Sequence, residues 1–216
     1  MNCEASVVFS TAYFPPPSLL PLGLDGDVRL EAMEHYSKGS CRNRCYLAGP
    51  QGAMILSVPL ERGKNQQCPI RDVRIDTSSD WQRQHWKSIR SAYGKSPFFI
   101  HYADALEPLF QQRFRFLFDW NEACTKKLLQ LMGRGITSYL YTEQYQKNLP
   151  ETWIDAREQR GKARLSLSLR YAQVFEERTG FLPDLSTLDL LFCTGPEAAS
   201  HLRNAWAQIS TETTTA

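Results

Sequence analysis

The hydrophobic period of this chain changes near residue 79, and that change constrains the fold more than any other feature. Before it, apolar residues fall in short runs of strand formers separated by turn residues. Val7 to Ala12 leads through Tyr13-Phe14 into Pro15-Pro16-Pro17, which cannot continue a central ladder. Leu19 to Asp27 holds Pro21, Gly23 and Gly26 and reads as a loop, and Val28 to Tyr36 reads as a strand entering a Ser37–Ser40 turn. Gly49-Pro50-Gln51-Gly52 is a strong turn signal, so a hairpin is expected with Cys41–Ala48 against Ala53–Leu60. Arg62 to Pro69 reads as an exposed loop, and Val73 and Ile75 alternate with Arg74 and Asp76 in a further short strand.

After residue 79 the spacing becomes helical. Ser79 with Gln82 fits a capping box, Trp81, His85 and Ile89 follow at i, i+4 and i+8, and Gly94 with Pro97 stops the helix. A long helix from about Asp104 to Met132 is expected from Leu109, Phe110, Phe114, Leu117, Cys124, Leu128 and Leu131, with Pro108 near its start. Ile136 to Thr142 alternates as a strand, Glu151 to Lys162 is charged and reads as helical, and Leu165, Leu167 and Leu169 alternate with serines as a strand or extended segment. Ser186 offers a cap before Leu188 to Phe192, and Gly195-Pro196 starts a last helix ending near Ile209. Strands crowd the first third and helices the rest, which predicts a mixed α/β or α+β fold. The 216 residues suit one domain over 1–208 with a polar tail at 209–216.

Several classes fall away. No apolar run approaches the roughly 20 residues of a spanning helix, and the N-terminal residues show no basic and apolar leader pattern, so a cytoplasmic protein is expected. Cysteines 3, 41, 45, 68, 124 and 193 have no repeating interval and no CxxC pair, which favours reduced thiols and argues against a zinc site; no cofactor is expected. Gly94-Lys95-Ser96 lacks the earlier glycine and preceding strand of a phosphate-binding P-loop.

Charge supplies the functional hint. Residues 29–95 carry twelve basic and six acidic side chains, whereas the whole chain is only +2. That patch suits an anionic ligand, although a solvated basic surface gives the same count. If Cys41–Ala48 is a strand, Arg42 and Arg44 share a face and can clamp a phosphate, with Lys38 closing from the turn; pairing with Glu31, Glu34 or Asp72 is the structural alternative. Arg83 and Arg90 add a basic helix face beside Trp86. His35 and His85 are the candidate acid/base groups, and Cys41 beside the arginines is a conceivable nucleophile.

The same residues carry a resemblance. Tyr13-Phe14-Pro15-Pro16, His35-Tyr36-x-Lys38-x-x-x-Arg42-Asn43-Arg44-Cys45, Ala48-Gly49-Pro50-x-Gly52, Trp81-x-x-x-His85-Trp86, Ala92-Tyr93-Gly94-Lys95-Ser96-Pro97 and Leu188-Asp189-Leu190-Leu191-Phe192 resemble the WbqC-like family over about residues 7–200. Ser18 to Asp27 departs from it, because its Pro and Gly residues do not suit the helix that relatives carry there. The resemblance implies a protein of bacterial surface polysaccharide (O-antigen or capsule) biosynthesis, a transferase-type enzyme acting on a nucleotide-linked sugar. Its diphosphate would meet Arg42 and Arg44, and its base and sugar would meet Tyr36, Trp86 and Tyr93, with Tyr13 at the same site. A non-catalytic RNA-binding or interaction module using residues 35–99 is the alternative, since bases stack on aromatics between phosphate-binding cations.

Overall fold

Strand formers after residue 5 make β1 (Ser6–Ser10), an inner strand of a parallel sheet. The fold is that of a computed structural model describing residues 6–24, 26–61, 67–133, 139–158 and 165–214, with side chains to 209. β1 pairs with β2 (Val28–Glu31) on one side. The sheet is completed by β5 (Leu140–Tyr141) beyond β2 and β6 (Trp153–Ala156) on the other side of β1, giving the order β5-β2-β1-β6. A separate antiparallel hairpin joins β3 (Arg44–Gly49) and β4 (Gly52–Ser57) through the Pro50-Gln51 turn. The helices are α1 (Trp81–Tyr93), α2 (Phe99–Leu106), α3 (Leu117–Leu131), α4 (Glu176–Thr179), α5 (Thr187–Thr194) and α6 (Ala198–Thr214). This is the mixed α/β arrangement that the change of period implies.

Register divides the sheet into unlike faces, because side chains alternate along each strand. Val7, Phe9, Leu30, Ile154 and Ala156 point into the common core with Trp120, Leu117 and the helices. Val8, Arg29, Ser10, Glu31 and Asp155 share the opposite face by their pairing, and Val8 stands outside that core cluster. Trp120 of α3 is fully buried against Tyr13, Phe14, Trp81, Phe110 and Phe114.

Five expectations need correction. The helix expected from Asp104 to Met132 is broken: Pro108 cannot donate within a helix, so the chain tightens into a 3-10 turn at Glu107–Gln111. Residue 112 is then extended, and α3 begins only at Leu117. The side-chain amide of Gln82 takes up the freed carbonyls of Leu109 (3.4 Å) and Gln112 (2.6 Å). Gln82 is therefore not closing a capping box, and Asp80 rather than Ser79 occupies the cap position. The charged stretch expected as a helix at Glu151–Lys162 contains β6, because Ile154 and Ala156 alternate into the core while Trp153 and Asp155 take the other face; residues 159–162 lie outside the described residues. β2 ends at Glu31 rather than Tyr36, since the Glu31 carboxylate accepts the Met33 N–H (3.0 Å) and turns the chain. In place of a strand over Val73–Asp76, Arg74 and Ile75 form single bridges, to Phe116 and Leu60.

Other readings hold in part. Of Ile136–Thr142, the described portion contains β5 alone, and 136–138 lie outside the described residues, as do 62–66 of the expected loop. Residues 165–169 belong to no helix or strand, and the Leu169 N–H donates to the Leu167 carbonyl (3.0 Å). Ser186 does cap α5, its Oγ accepting from Leu188 N–H at 3.2 Å. α6 passes Ile209 to Thr214, as no Gly or Pro stops it.

Candidate functional site

In an open parallel sheet, ligands bind outside the carboxyl ends of the strands, where the order reverses. Here that point lies between β1 and β6, and it is filled by charged side chains. Arg42 sits in the turn before β3, 2% exposed, with Nε donating to Glu34 Oε1 (2.8 Å), Nη1 to Glu158 Oε2 (3.1 Å) and Nη2 to Ser10 Oγ (2.9 Å). A second contact joins Nη2 to Glu34 Oε2. The Cys41 N–H donates to both Glu158 oxygens at 2.9 Å. Burial raises the Glu34 and Glu158 carboxyls above the ordinary range, and the shared Arg42 only partly offsets it. The Cys41 thiol is pushed well up, first by burial and then by Glu158 and Asp184, so the carboxylates outweigh the arginines and it is no thiolate nucleophile. The carboxyl end of the sheet is thus plugged by a satisfied ion cluster.

The open volume lies beside that plug, on the sheet's other face. Parallel sheets normally carry helices on both faces. Here the connection from β5 to β6, residues 142–152, crosses the polar face instead and leaves a cleft of about 1030 Å³. Val8, Arg29 and Glu31 form its floor, Trp153 and Leu149 one side, and Met33, Arg71, Leu140 and Tyr141 the other. The Arg29 guanidinium lies over the Trp153 ring at 4.8 Å, and that of Arg71 over Phe118 and Tyr141 at 5.1 and 5.4 Å. Arg29 pairs with exposed Asp27 at 2.9 Å, and its Nε is buried without a hydrogen-bond partner. Arg71 makes no close ion pair or hydrogen bond among the described residues, but its charge acts on the nearby Asp119 carboxylate of α3. Stacking holds both guanidiniums in plane while leaving edge donors for an anion.

Glu31 faces the cleft in a fixed pose. Its Oε1 accepts from Thr142 Oγ1 (2.6 Å) and Met33 N–H (3.0 Å), and its Oε2 faces Arg157 Nη1 at 3.3 Å. Arg157 is held charged chiefly by its hydrogen bonds to Asp155. It also donates to the Gln146 carbonyl at 2.7 Å, tying the crossing connection to the floor. Two stacked arginines and a carboxylate thus line one cleft, where the edge donors of each arginine can meet an anionic group.

The residues singled out in the sequence do not gather in this cleft. Tyr13, Tyr36, Arg42, His85, Trp86 and Tyr93 are buried. Tyr36 O–H donates to Asn43 Oδ1 (2.9 Å), Trp86 Nε1–H to Glu107 (2.9 Å) and Tyr93 O–H to Asp189 (2.7 Å). His35 is exposed and forms a backbone bridge with Pro69. Lys38 and Arg90 are exposed, Arg44 is half-buried on β3, and Arg83 pairs with Asp80. Arg42 and Arg44 do not form the expected clamp, because Arg42 precedes the strand and its donors are taken by carboxylates. Arg29, Glu31, Arg71, Thr142 and Trp153 were missed; the polar-apolar alternation of Arg29-Leu30-Glu31 and Trp153-Ile154-Asp155-Ala156 was the available signal.

His85 carries a stability consequence instead. Its Nδ1 lies 3.0 Å from the Tyr13 phenol oxygen, and the ring also bonds the Ser57 backbone. Burial lowers its pKa to about 4 from the free value of 6.5. The unfolded chain then binds a proton that the fold refuses, so stability present above pH 6.5 is lost as pH falls toward 4. Between pH 7 and 4.5 this loss is about 2–3 kcal/mol. His85→Gln, which cannot titrate, is expected to remove that part of the acid sensitivity in urea melts at the two pH values. The raised carboxyls of Glu34 and Glu158 act with the opposite sign, so the difference between wild type and variant isolates the histidine.

Among the described residues no helix is long and apolar enough to cross a membrane, and no three His, Cys, Asp or Glu side chains group as metal ligands. No solved structure matches the chain. The uncharacterized protein Rv1507c of Mycobacterium tuberculosis is 26% identical to it over 207 residues, covering 78% of this chain and 84% of that protein. The model of the WbqC-like protein family matches residues 25–166, which include β2 through β6, the buried ion cluster's Glu34, Arg42 and Glu158, and most of the cleft. With most of its length matched, the chain belongs to the WbqC-like protein family.

Proposed function

We propose that the cleft binds a phosphate-bearing nucleotide sugar and that the chain is a transferase of bacterial surface polysaccharide biosynthesis. The observation that carries this reading is the pair of arginines stacked on aromatic rings, Arg29 on Trp153 and Arg71 on Tyr141, in a cleft of about 1030 Å³. Binding pockets commonly span about 300–1,000 Å³, so the volume accommodates a nucleotide sugar with room beside it. The arginine edges suit a diphosphate, and the exposed part of an indole or phenol ring suits the apolar face of a sugar or base. In this reading an acceptor hydroxyl attacks the sugar carbon and its proton passes to Glu31. The carbon–oxygen bond to the diphosphate breaks, and the electron pair leaves on the phosphate held by Arg29 and Arg71. Family membership supports the substrate class by association, since fold alone does not fix a reaction.

Calorimetry with a uridine-diphosphate hexose, uridine diphosphate and a single-stranded oligoribonucleotide tests it. The expected result is competitive binding of the first two at one site and no comparable heat from the oligoribonucleotide. Preferential binding of the oligoribonucleotide, or no binding of either uridine nucleotide, contradicts it.

A further inference from the structure

The β3–β4 hairpin has one edge that the fold leaves open. Just beyond the Arg44–Ser57 pair, the Val58 N–H donates to the Asn43 carbonyl at 2.8 Å. By the register, the two strands therefore bond each other at Cys45–Leu56, Leu47–Met54 and Gly49–Gly52, and the residues between turn their N–H and C=O groups away. On β3 these outward groups meet partners: the Tyr46 carbonyl accepts from the Ser186 N–H (2.7 Å), and the Ala48 N–H donates to the Tyr93 hydroxyl (2.8 Å). On β4 the His85 ring bonds the Ser57 backbone, but the N–H and C=O groups of Ala53 and Ile55 have no partner among the described residues. Both side chains are exposed, that of Ile55 by 49%. Native edges are usually guarded by a lysine, a proline or a bulge against pairing with another chain. Gly52-Ala53-Met54-Ile55-Leu56-Ser57 holds no charge and no proline, and its register with β3 is unbroken.

We infer that β4 is an interface for a second copy of this chain, the two β4 strands lying antiparallel about a twofold axis at Met54. This alignment sets Ala53 of each copy opposite Ile55 of the other, and the two pairs use all the free backbone groups of both edges. The strand's own pattern suits a copy of itself. A small side chain faces a large one at both pairs, and the partly exposed Met54 meets its counterpart on the inner face. The one charged side chain on the outer face, Arg44, stands beside Ser57 at one end of the hairpin, so the twofold carries the two guanidiniums to opposite ends of the joint sheet. At the Ser57 end, where α1 closes the edge, the second copy's strand has already reached its Pro50-Gln51 turn. No residue of β4 lines the cleft, so this inference stands or falls apart from the nucleotide-sugar reading.

Sedimentation velocity of the full chain over a concentration series is expected to show a reversible monomer–dimer equilibrium. Ile55→Lys puts a charge on an exposed side chain in the middle of the pairing and removes apolar contact in both copies, so it is expected to weaken the dimer at least about 10-fold. Ile100→Lys, on α2 and 77% exposed, is expected to leave it unchanged. A second variant reads the register. Opposed residues of a non-hydrogen-bonded antiparallel pair have Cα atoms about 4.5 Å apart, within disulfide reach. Met54→Cys is therefore expected to form a covalent dimer under mild oxidation that the wild type, with its own cysteines, does not form. A chain that stays monomeric at every concentration, a dimer indifferent to Ile55→Lys, or a Met54→Cys variant that does not crosslink overturns the inference.

Discussion

Arg42→Met is expected to destabilise the fold by about 3–5 kcal/mol, because it leaves two buried carboxylates without their shared cation. Glu34 and Glu158 are both nearly inaccessible, and Arg42 supplies both with hydrogen bonds as well as charge. Desolvation already raises both carboxyls, so without the guanidinium they fold most easily when protonated. The sign follows: a raised carboxyl stabilises relative to the unfolded chain at low pH and loses that advantage as pH rises. The penalty of Arg42→Met is therefore expected to shrink between pH 7 and pH 5. Urea melts measure it at each pH. Adding Glu34→Gln and Glu158→Gln is expected to recover much of the loss, since amides at those positions need no counter-charge. A single variant with unchanged stability would show that the cluster is not the plug described.

Arg29→Ala/Arg71→Ala is expected to weaken binding of a uridine-diphosphate hexose by at least about 100-fold. A hydrogen bond to a charged group contributes about 1.5–3 kcal/mol, and two such contacts multiply in affinity. Arg29 keeps 38% of its side-chain surface exposed, Arg71 is exposed, and neither belongs to the core, so the fold is expected to melt near the wild-type temperature. Arg71→Lys is expected to recover only part of the affinity, because an ammonium keeps the charge but lacks the planar stacked fork. Calorimetry of the three variants distinguishes lost charge from lost geometry. Wild-type affinity in the double variant would remove the arginines from the site.

Much of the local structure was legible where a chemical signal was local. The β3–β4 hairpin follows from its Gly-Pro-Gln-Gly turn, α1 from the spacing of Trp81, His85 and Ile89, and the α5 start from Ser186. β6 was hidden because charge surrounds it: Glu151, Asp155, Arg157 and Glu158 look like a solvated helix until Ile154 and Ala156 are read at period two. Pro108 announced a break, but the run of apolar residues across it suggested one helix. The arginine clamp failed for a non-local reason. Glu158, which completes the Arg42 cluster, lies 116 residues further along the chain, and no spacing rule connects them. The cleft was equally unreadable, since Arg29, Arg71 and Trp153 meet only once the sheet order and the 142–152 crossing are known.

Hydrogen–deuterium exchange with a saturating uridine-diphosphate hexose tests most directly where the ligand sits. Backbone amides of residues 29–33 and of the 140–153 stretch, which bound the cleft, are expected to gain protection. Those of residues 37–45, around Lys38, Arg42 and Arg44, are expected to exchange as in the free protein. Protection confined to 37–45, with the cleft amides unchanged, would contradict the cleft as the binding site and restore the turn before β3 in its place.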